Sequence, residues 1–168
     1  LAQELEVQIV GLKLTSLLQQ MELPVARILG DMELRGITLD GEVLRKLSLS
    51  MTKEIHELES EIHGDAGREF NINSPKQLGS VLFDELGLPV GRKTKTGYST
   101  ASGVLEELVE VHPIASRVLK FRELSKLRST YVDALPGLVS PITGRVHTTF
   151  NQAGTTTGRL SSSSPNLQ

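Results

Sequence analysis

The side chains best placed for chemistry with a partner lie in residues 154–168, Gly-Thr-Thr-Thr-Gly-Arg-Leu-Ser-Ser-Ser-Ser-Pro-Asn-Leu-Gln. Seven hydroxyls and two carboxamides surround a single charge, Arg159, with no Asp or Glu among them. Leu160 and Leu167 are the only large apolar residues, so the stretch builds no core of its own. Many neutral donors around one guanidinium suit an anionic, hydrogen-bonding surface such as a nucleic acid backbone or groove. The same composition also fits a flexible Ser/Thr-rich tail.

A second group of candidates lies upstream. Over residues 113–130, Arg117, Lys120, Arg122, Lys126 and Arg128 stand against Glu123 alone. Arg122, Lys126 and Ser129 are spaced by four and three, which puts them on one helix face, and five bases to one acid read as a phosphate-facing stripe. Asn73 and Ser74 flank the start of a short helix, where free backbone N–H groups attract anions. Arg92, Lys93 and Lys95 form a basic loop without an acid. Gly91 and Gly97 in that loop are not followed by Gly-Lys-Ser/Thr, so it is no nucleotide-binding P-loop.

Helices must position these groups. Leu5, Ile9, Leu12, Leu17 and Leu18 recur at near-helical spacing. Pro24 is expected to interrupt that helix and open a second one, which Gly36 ends. Asp40 caps a long helix over 41–63, about 34 Å in length, with Leu44, Leu47, Met51, Ile55, Leu58 and Ile62 as a heptad seam for one neighbouring helix. Gly64 is expected to stop it. His56 and His63 lie on this helix and read as surface residues rather than metal ligands. Ser74 and Gln77 form a capping box around Pro75, Gly87 ends that helix, and Ser99 or Thr100 caps the next. Pro113 opens a long helix to about residue 133 whose inward face is Ile114, Val118, Phe121, Leu124 or Ser125, and Tyr131. After Pro136, Gly137 and Pro141, Val146, Thr148 and Phe150 alternate with Arg145, His147 and Thr149, as in a strand entered from a Thr-Gly turn.

Composition excludes several classes. The chain of 168 residues is 38% hydrophobic and 23% charged, carries no cysteine, and has no apolar run long enough for a membrane span. Disulfides and thiolate metal sites are therefore ruled out. With no Trp and only six Phe and Tyr, it does not suit single-strand binding on aromatic platforms. The net charge of −2 hides a polarity. Residues 1–64 hold six Lys and Arg against eleven Asp and Glu, a balance of −5, whereas residues 65–168 hold twelve against nine, a balance of +3. The positive half is the one that could meet a polyanion. The chain begins with Leu rather than Met, which suggests a piece of a longer protein.

Read together, several strings resemble the family A DNA polymerases of the bacterial DNA polymerase I type. Thr157-Gly158-Arg159-Leu160-Ser161-Ser162 with Pro165-Asn166-Leu167-Gln168 is similar to the first motif shared by that family. Phe150-Asn151-Gln152, the segment Arg122-Glu123-Leu124-Ser125-Lys126-Leu127-Arg128-Ser129-Thr130-Tyr131, Asn71-Ile72-Asn73-Ser74, the segment Leu82-Phe83-Asp84-Glu85-Leu86-Gly87-Leu88-Pro89, and Glu22-Leu23-Pro24-Val25 also match, in the family's order.

The resemblance implies a mainly α fold. It comprises N-terminal helices at 1–36, then a helical thumb at 37–133 with two long antiparallel helices and a small helical tip at about 71–110. The first β-strands of a truncated palm follow at 134–168. It implies that Asn73, Ser74, Arg122, Lys126, Arg128, Ser129 and Thr130 face the sugar-phosphate backbone of primer–template DNA. It further implies that Arg159 enters the minor groove, with Gln152, Ser161, Asn166 and Gln168 nearby. Minor-groove acceptors lie at similar positions in every base pair, so such contacts suit an enzyme that must hold any sequence. The family's nucleotidyl transfer uses metal ions held by carboxylates. No Asp or Glu follows Asp133, so this piece is expected to be inactive and to hold no cofactor, with Mg2+ and dNTP belonging to the longer parent. A bacterial cytoplasmic, nucleoid-associated location and no obligate protein partner complete the implication. A non-enzymatic helical DNA-binding or interaction module, and a helical scaffold with a disordered tail, are the alternatives.

Overall fold

The structure, a computed structural model, describes residues 2–90, 93–94 and 97–167. The basic residues Arg92 and Lys95 and the candidate Gln168 lie outside the described residues. Among the described residues the fold is mainly α, with two short antiparallel hairpins. Two compact units divide it: residues 40–136, and residues 1–39 together with 137–168.

In the 40–136 unit, α4 (Gly41–Ala66) starts at Asp40, whose carboxylate accepts from the amides of Glu42 and Val43 at 3.0 and 3.1 Å. These bonds satisfy two of the free N–H groups of the first turn. The helix runs two residues past Gly64. It ends at Gly67, whose φ of +71° supplies the left-handed cap that a residue with a Cβ adopts at a cost. Helix α7 (Pro113–Leu127) is capped by His112 Nδ1, which accepts from the amide of Ile114 at 3.2 Å. A π-turn, Arg128–Val132, continues it. Arg117 of α7 binds Glu61 and Asp65 near the C-terminal end of α4. Ser48, near its N-terminal end, binds Asp133 just past the π-turn. The two helices are therefore antiparallel.

The expected heptad seam is only partly realised. Ile62 is fully buried, whereas Leu47 is 41% exposed, and the half-buried Ser48 takes the inward position beside it. A straight helix repeats every 3.6 residues, so an inward face drifts off a strict 3.5-residue seam.

The core of this unit is formed where the small helices close over α4 and α7. Helix α5 (Pro75–Gly79) and its π-turn continuation Ser80–Glu85 bury Leu78, Val81 and Leu82 completely. Helix α6 (Ser102–Glu107) adds Leu105, and α7 adds Ile114, Val118 and Phe121. Ser74 Oγ accepts from the Gln77 amide, but the reciprocal arm differs from a capping box. Gln77 Oε1 accepts from the amide of Asn71, at 2.8 Å, and so ties down the preceding turn. The chain leaves this helix at Gly87, with φ +64°, and the Leu88 amide donates to the Leu82 carbonyl as in a Schellman closure. Neither Ser99 nor Thr100 caps α6. Thr100 is buried and serves Arg122 instead. The hairpin of β1 (Lys93–Thr94) and β2 (Gly97–Tyr98) completes the unit.

In the other unit, α1 (Ala2–Gly11) buries no residue. The break expected at Pro24 falls instead at residues 12–14, where Lys13 adopts φ +57°. From Thr15 the chain is helical to Arg35 as α2 (Thr15–Leu17), a π-turn (Leu18–Glu22) and α3 (Leu23–Arg35). Proline lacks an N–H, and its ring collides with the carbonyl four residues back in an α-helix. The wider π-turn just before Pro24 relieves that collision, so the helix passes through. Strand β3 (Thr149–Asn151) pairs antiparallel with β4 (Ser161–Ser163), Phe150 opposite Ser162. The serine run is thus the second strand of a hairpin, not a tail. The expected alternation holds, with Val146 and Thr148 buried and Arg145, His147 and Thr149 less so.

Candidate nucleic-acid interface

The basic side of α7 is much less free than its charge count suggests. The Arg117 guanidinium is held by Asp65 and Glu61 of α4, with the hydrogen bond to Asp65 the main cause that raises its already high pKa. Lys120 lies 3.3 Å from Glu123. Arg122 donates to the backbone carbonyl and hydroxyl of Thr100, and its burial pulls the guanidinium below its ordinary value. Arg128 Nε donates to Asp133 Oδ2 at 2.9 Å. Lys126 is exposed and has no ion-pair partner among the described residues. Ser129 and Thr130 are exposed beside it, and Ser129 Oγ donates to the Lys126 carbonyl. The sequence pattern therefore overcounted the charge that this helix leaves available.

Asp133 is the partner that the sequence reading missed. It accepts from Ser48 Oγ at 2.7 Å as well as from Arg128, and these two bonds, the Ser48 hydroxyl foremost, lower its pKa below the usual carboxylate range. As the last acidic residue of the chain, five places after Arg128, it carried a visible signal.

At the tip, Asn73 is exposed and Ser74 caps α5. Ser74, Pro75, Lys76, Ser80, Asp84, Gly97 and Tyr98 line an open groove of about 550 Å³. Tyr98 Oη donates to Asp84 at 2.6 Å, so that carboxylate is engaged within the groove wall.

In the other unit, polar ties position the hairpin that carries Arg159. Glu33 of α3 accepts from the amide of Phe150. The carbonyl of Glu33 accepts from His147 Nδ1 at 2.7 Å, and His147 Nε2 then accepts from the Thr143 hydroxyl at 2.7 Å. Gln152 Nε2 donates to the carbonyl of Glu22, at 2.9 Å, and to its carboxylate. This amide is thus committed to α3's approach rather than offered to a ligand. Thr148 Oγ1 donates to the carbonyls of Ser163 and Pro165, and Ser162 Oγ accepts from the Leu167 amide. Thr155 Oγ1 donates to the carbonyl of Arg159 at 2.7 Å, which fixes the backbone of the loop. The Arg159 side chain is exposed, with no carboxylate partner among the described residues. Ser161 is half-buried at the end of β4, and Asn166 is exposed next to Ser162.

Among the described residues, no group of three or more His, Asp and Glu side chains is placed to hold a metal ion. His63 makes a 2.9 Å contact to the Phe70 carbonyl through Nε2 and sits edge-on to the Phe70 ring. No helix is long and apolar enough to cross a membrane, again among the described residues.

The chain is 58% identical over 158 residues to a thermostable DNA polymerase I of Thermus filiformis, covering 93% of this chain and 19% of that protein. It is 53% identical over 152 residues to DNA polymerase I of Geobacillus stearothermophilus, covering 90% of this chain and 17% of that protein. It thus spans about a fifth of the length of these relatives. The POL domain of Pol1 from M. smegmatis, in complex with DNA primer-template and dNTP, superposes with a TM-score of 0.85 at 42% identity over 97% of this chain and 29% of that one. The model for DNA polymerase family A matches residues 41–168, most of the sequence, and the chain belongs to that family.

Proposed function

We propose that the chain is the duplex-gripping part of a longer DNA-directed DNA polymerase, comprising a thumb at residues 37–133 and the first part of a palm at 134–168. The observation that carries this reading is the likeness, over 97% of the chain, to a polymerase domain in complex with DNA primer-template and dNTP. The chemistry of the exposed groups supports it. Lys126 offers an unshared ammonium to phosphate, and Ser129, Thr130, Asn73 and Ser74 offer neutral hydrogen-bonding groups near the backbone. Arg159 reaches the minor groove from a loop fixed by Thr155, with Ser161 and Asn166 alongside. Gln152 acts through Glu22, by holding the hairpin, and Arg122 acts through Thr100, by holding α6 against α7. Contacts to phosphates and to groove acceptors common to all base pairs bind duplex without choosing its sequence.

The transfer chemistry is proposed for the whole protein, with Mg2+ and dNTP, in a bacterial cytoplasm at the nucleoid. No catalytic step is assigned to the residues of this chain. Fluorescence anisotropy of the 168-residue chain on primer–template duplexes tests the reading. Binding is expected to be weak, equal within about twofold between unrelated sequences, and to have a log–log salt slope of roughly −2, as for about two neutralised phosphates. No binding near 50 mM salt, a range in which electrostatic contacts are strong, would count against it.

A further inference from the structure

Asp133 holds Arg128, a candidate phosphate contact, in an ion pair. In an α-helix, residues five apart are rotated by about 140° and do not meet. Here the segment Arg128–Val132 is a π-turn, with the Asp133 amide donating to the Arg128 carbonyl at 2.9 Å, and residues 128 and 133 stack on one face. Their side chains close a 2.9 Å ion pair. Ser48, from the neighbouring helix, donates to the other carboxylate oxygen at 2.7 Å and keeps the carboxylate from swinging away. The pair is not sealed from solvent, since the Arg128 side chain is 33% exposed and that of Asp133 40%. A phosphate oxygen can therefore compete for the guanidinium. Such partly exposed pairs are weak enough for a polyanion to contest.

We propose that Asp133, anchored by Ser48, is an internal competitor that withholds Arg128 from DNA phosphate and holds the affinity of this surface for duplex low. The inference rests on the duplex-binding reading given above. A grip weakened in this way suits a surface that must release and re-form its phosphate contacts as the duplex advances. It also gives a role to the chain's last acidic side chain, five residues after the last base of a base-rich helix.

The test is a set of anisotropy titrations of the 168-residue chain on a primer–template duplex across salt concentration. Asp133→Asn keeps an acceptor for Ser48 and removes the competing charge. It is expected to tighten binding about threefold at low salt and to steepen the log–log salt slope by about 0.9, the value for one further phosphate. In an Arg128→Ala background the same substitution is expected to give no gain, which separates release of Arg128 from a general loss of negative charge. Arg128→Ala alone is expected to weaken binding well under the loss caused by Lys126→Ala, and this comparison stands even should Asp133→Asn fail to fold. Unchanged or weaker binding by folded Asp133→Asn overturns the inference. So does a gain that persists without Arg128, or an Arg128→Ala loss equal to that of Lys126→Ala. Failure of the wild-type chain to bind duplex at all would instead sink the duplex-binding reading beneath it.

Discussion

Gly36→Ala is expected to unseat the segment that leads into the β3–β4 hairpin. Gly36 ends α3 at φ +62° and ψ −172°, a region that residues with a Cβ scarcely enter. A Cβ there would lie 2.7 Å from the Val146 carbonyl oxygen and 2.8 Å from the His147 ring. The first neighbour is backbone and is itself committed, because it accepts from the Ile37 amide at 2.8 Å while the Val146 amide donates to Ile37 at 2.9 Å. The second is held at both ring nitrogens by Glu33 and Thr143. Neither gives way cheaply, and the Arg145 guanidinium bound to the Gly36 carbonyl would shift with them. Backbone strain of about 1–3 kcal/mol adds to the loss of these bonds, for a total of roughly 3 kcal/mol or more. Hydrogen exchange at the Ile37 and Val146 amides reads the effect. Both should lose protection in the variant, and retained protection would show that the turn tolerates the methyl group.

Ile62→Ala is expected to cost about 2–5 kcal/mol, whereas Leu47→Ala, on the same helix and the same sequence-derived seam, should cost under about 1 kcal/mol. Ile62 is fully buried against the cluster formed with Leu78, Val81, Leu82 and Leu105, so its truncation leaves a cavity that rigid neighbours do not fill. Leu47 is already 41% exposed, so its truncation removes fewer contacts. Chemical denaturation of the two variants decides between the uniform seam and the drifting face. Equal losses would restore the seam.

The local signals in the sequence were the dependable ones. Asp40, Ser74, Gly87 and the alternation at 146–150 each act within a few residues, through a cap, a positive φ or a pleat, and each is found in the structure. Signals that needed a neighbour were not legible. Gly64 and Gly67 are both plausible helix ends, and only the packing of Ala66 and Phe70 against the core selects the later one. The π-turns at Leu18–Glu22 and Arg128–Val132 leave no composition signature of their own. Serines at 161–163 have no apolar alternation, so their strand is specified by pairing to β3 rather than by pattern. The largest error concerned charge. Arg117 meets carboxylates more than fifty residues away, and Arg122 meets a backbone carbonyl, so neither engagement is visible in a run of bases.

Among the described residues, Lys126 and Arg159 stand exposed without carboxylate partners, and Arg117 is bound within the fold. An NMR titration of the chain with primer–template duplex, following side-chain nitrogen resonances, tests this division most directly. Arg159 Nε and Lys126 Nζ are expected to shift progressively with duplex, and Arg117 Nε, held by Glu61, is expected to stay in place. Stationary Arg159 and Lys126 signals at duplex concentrations that saturate binding would contradict the account.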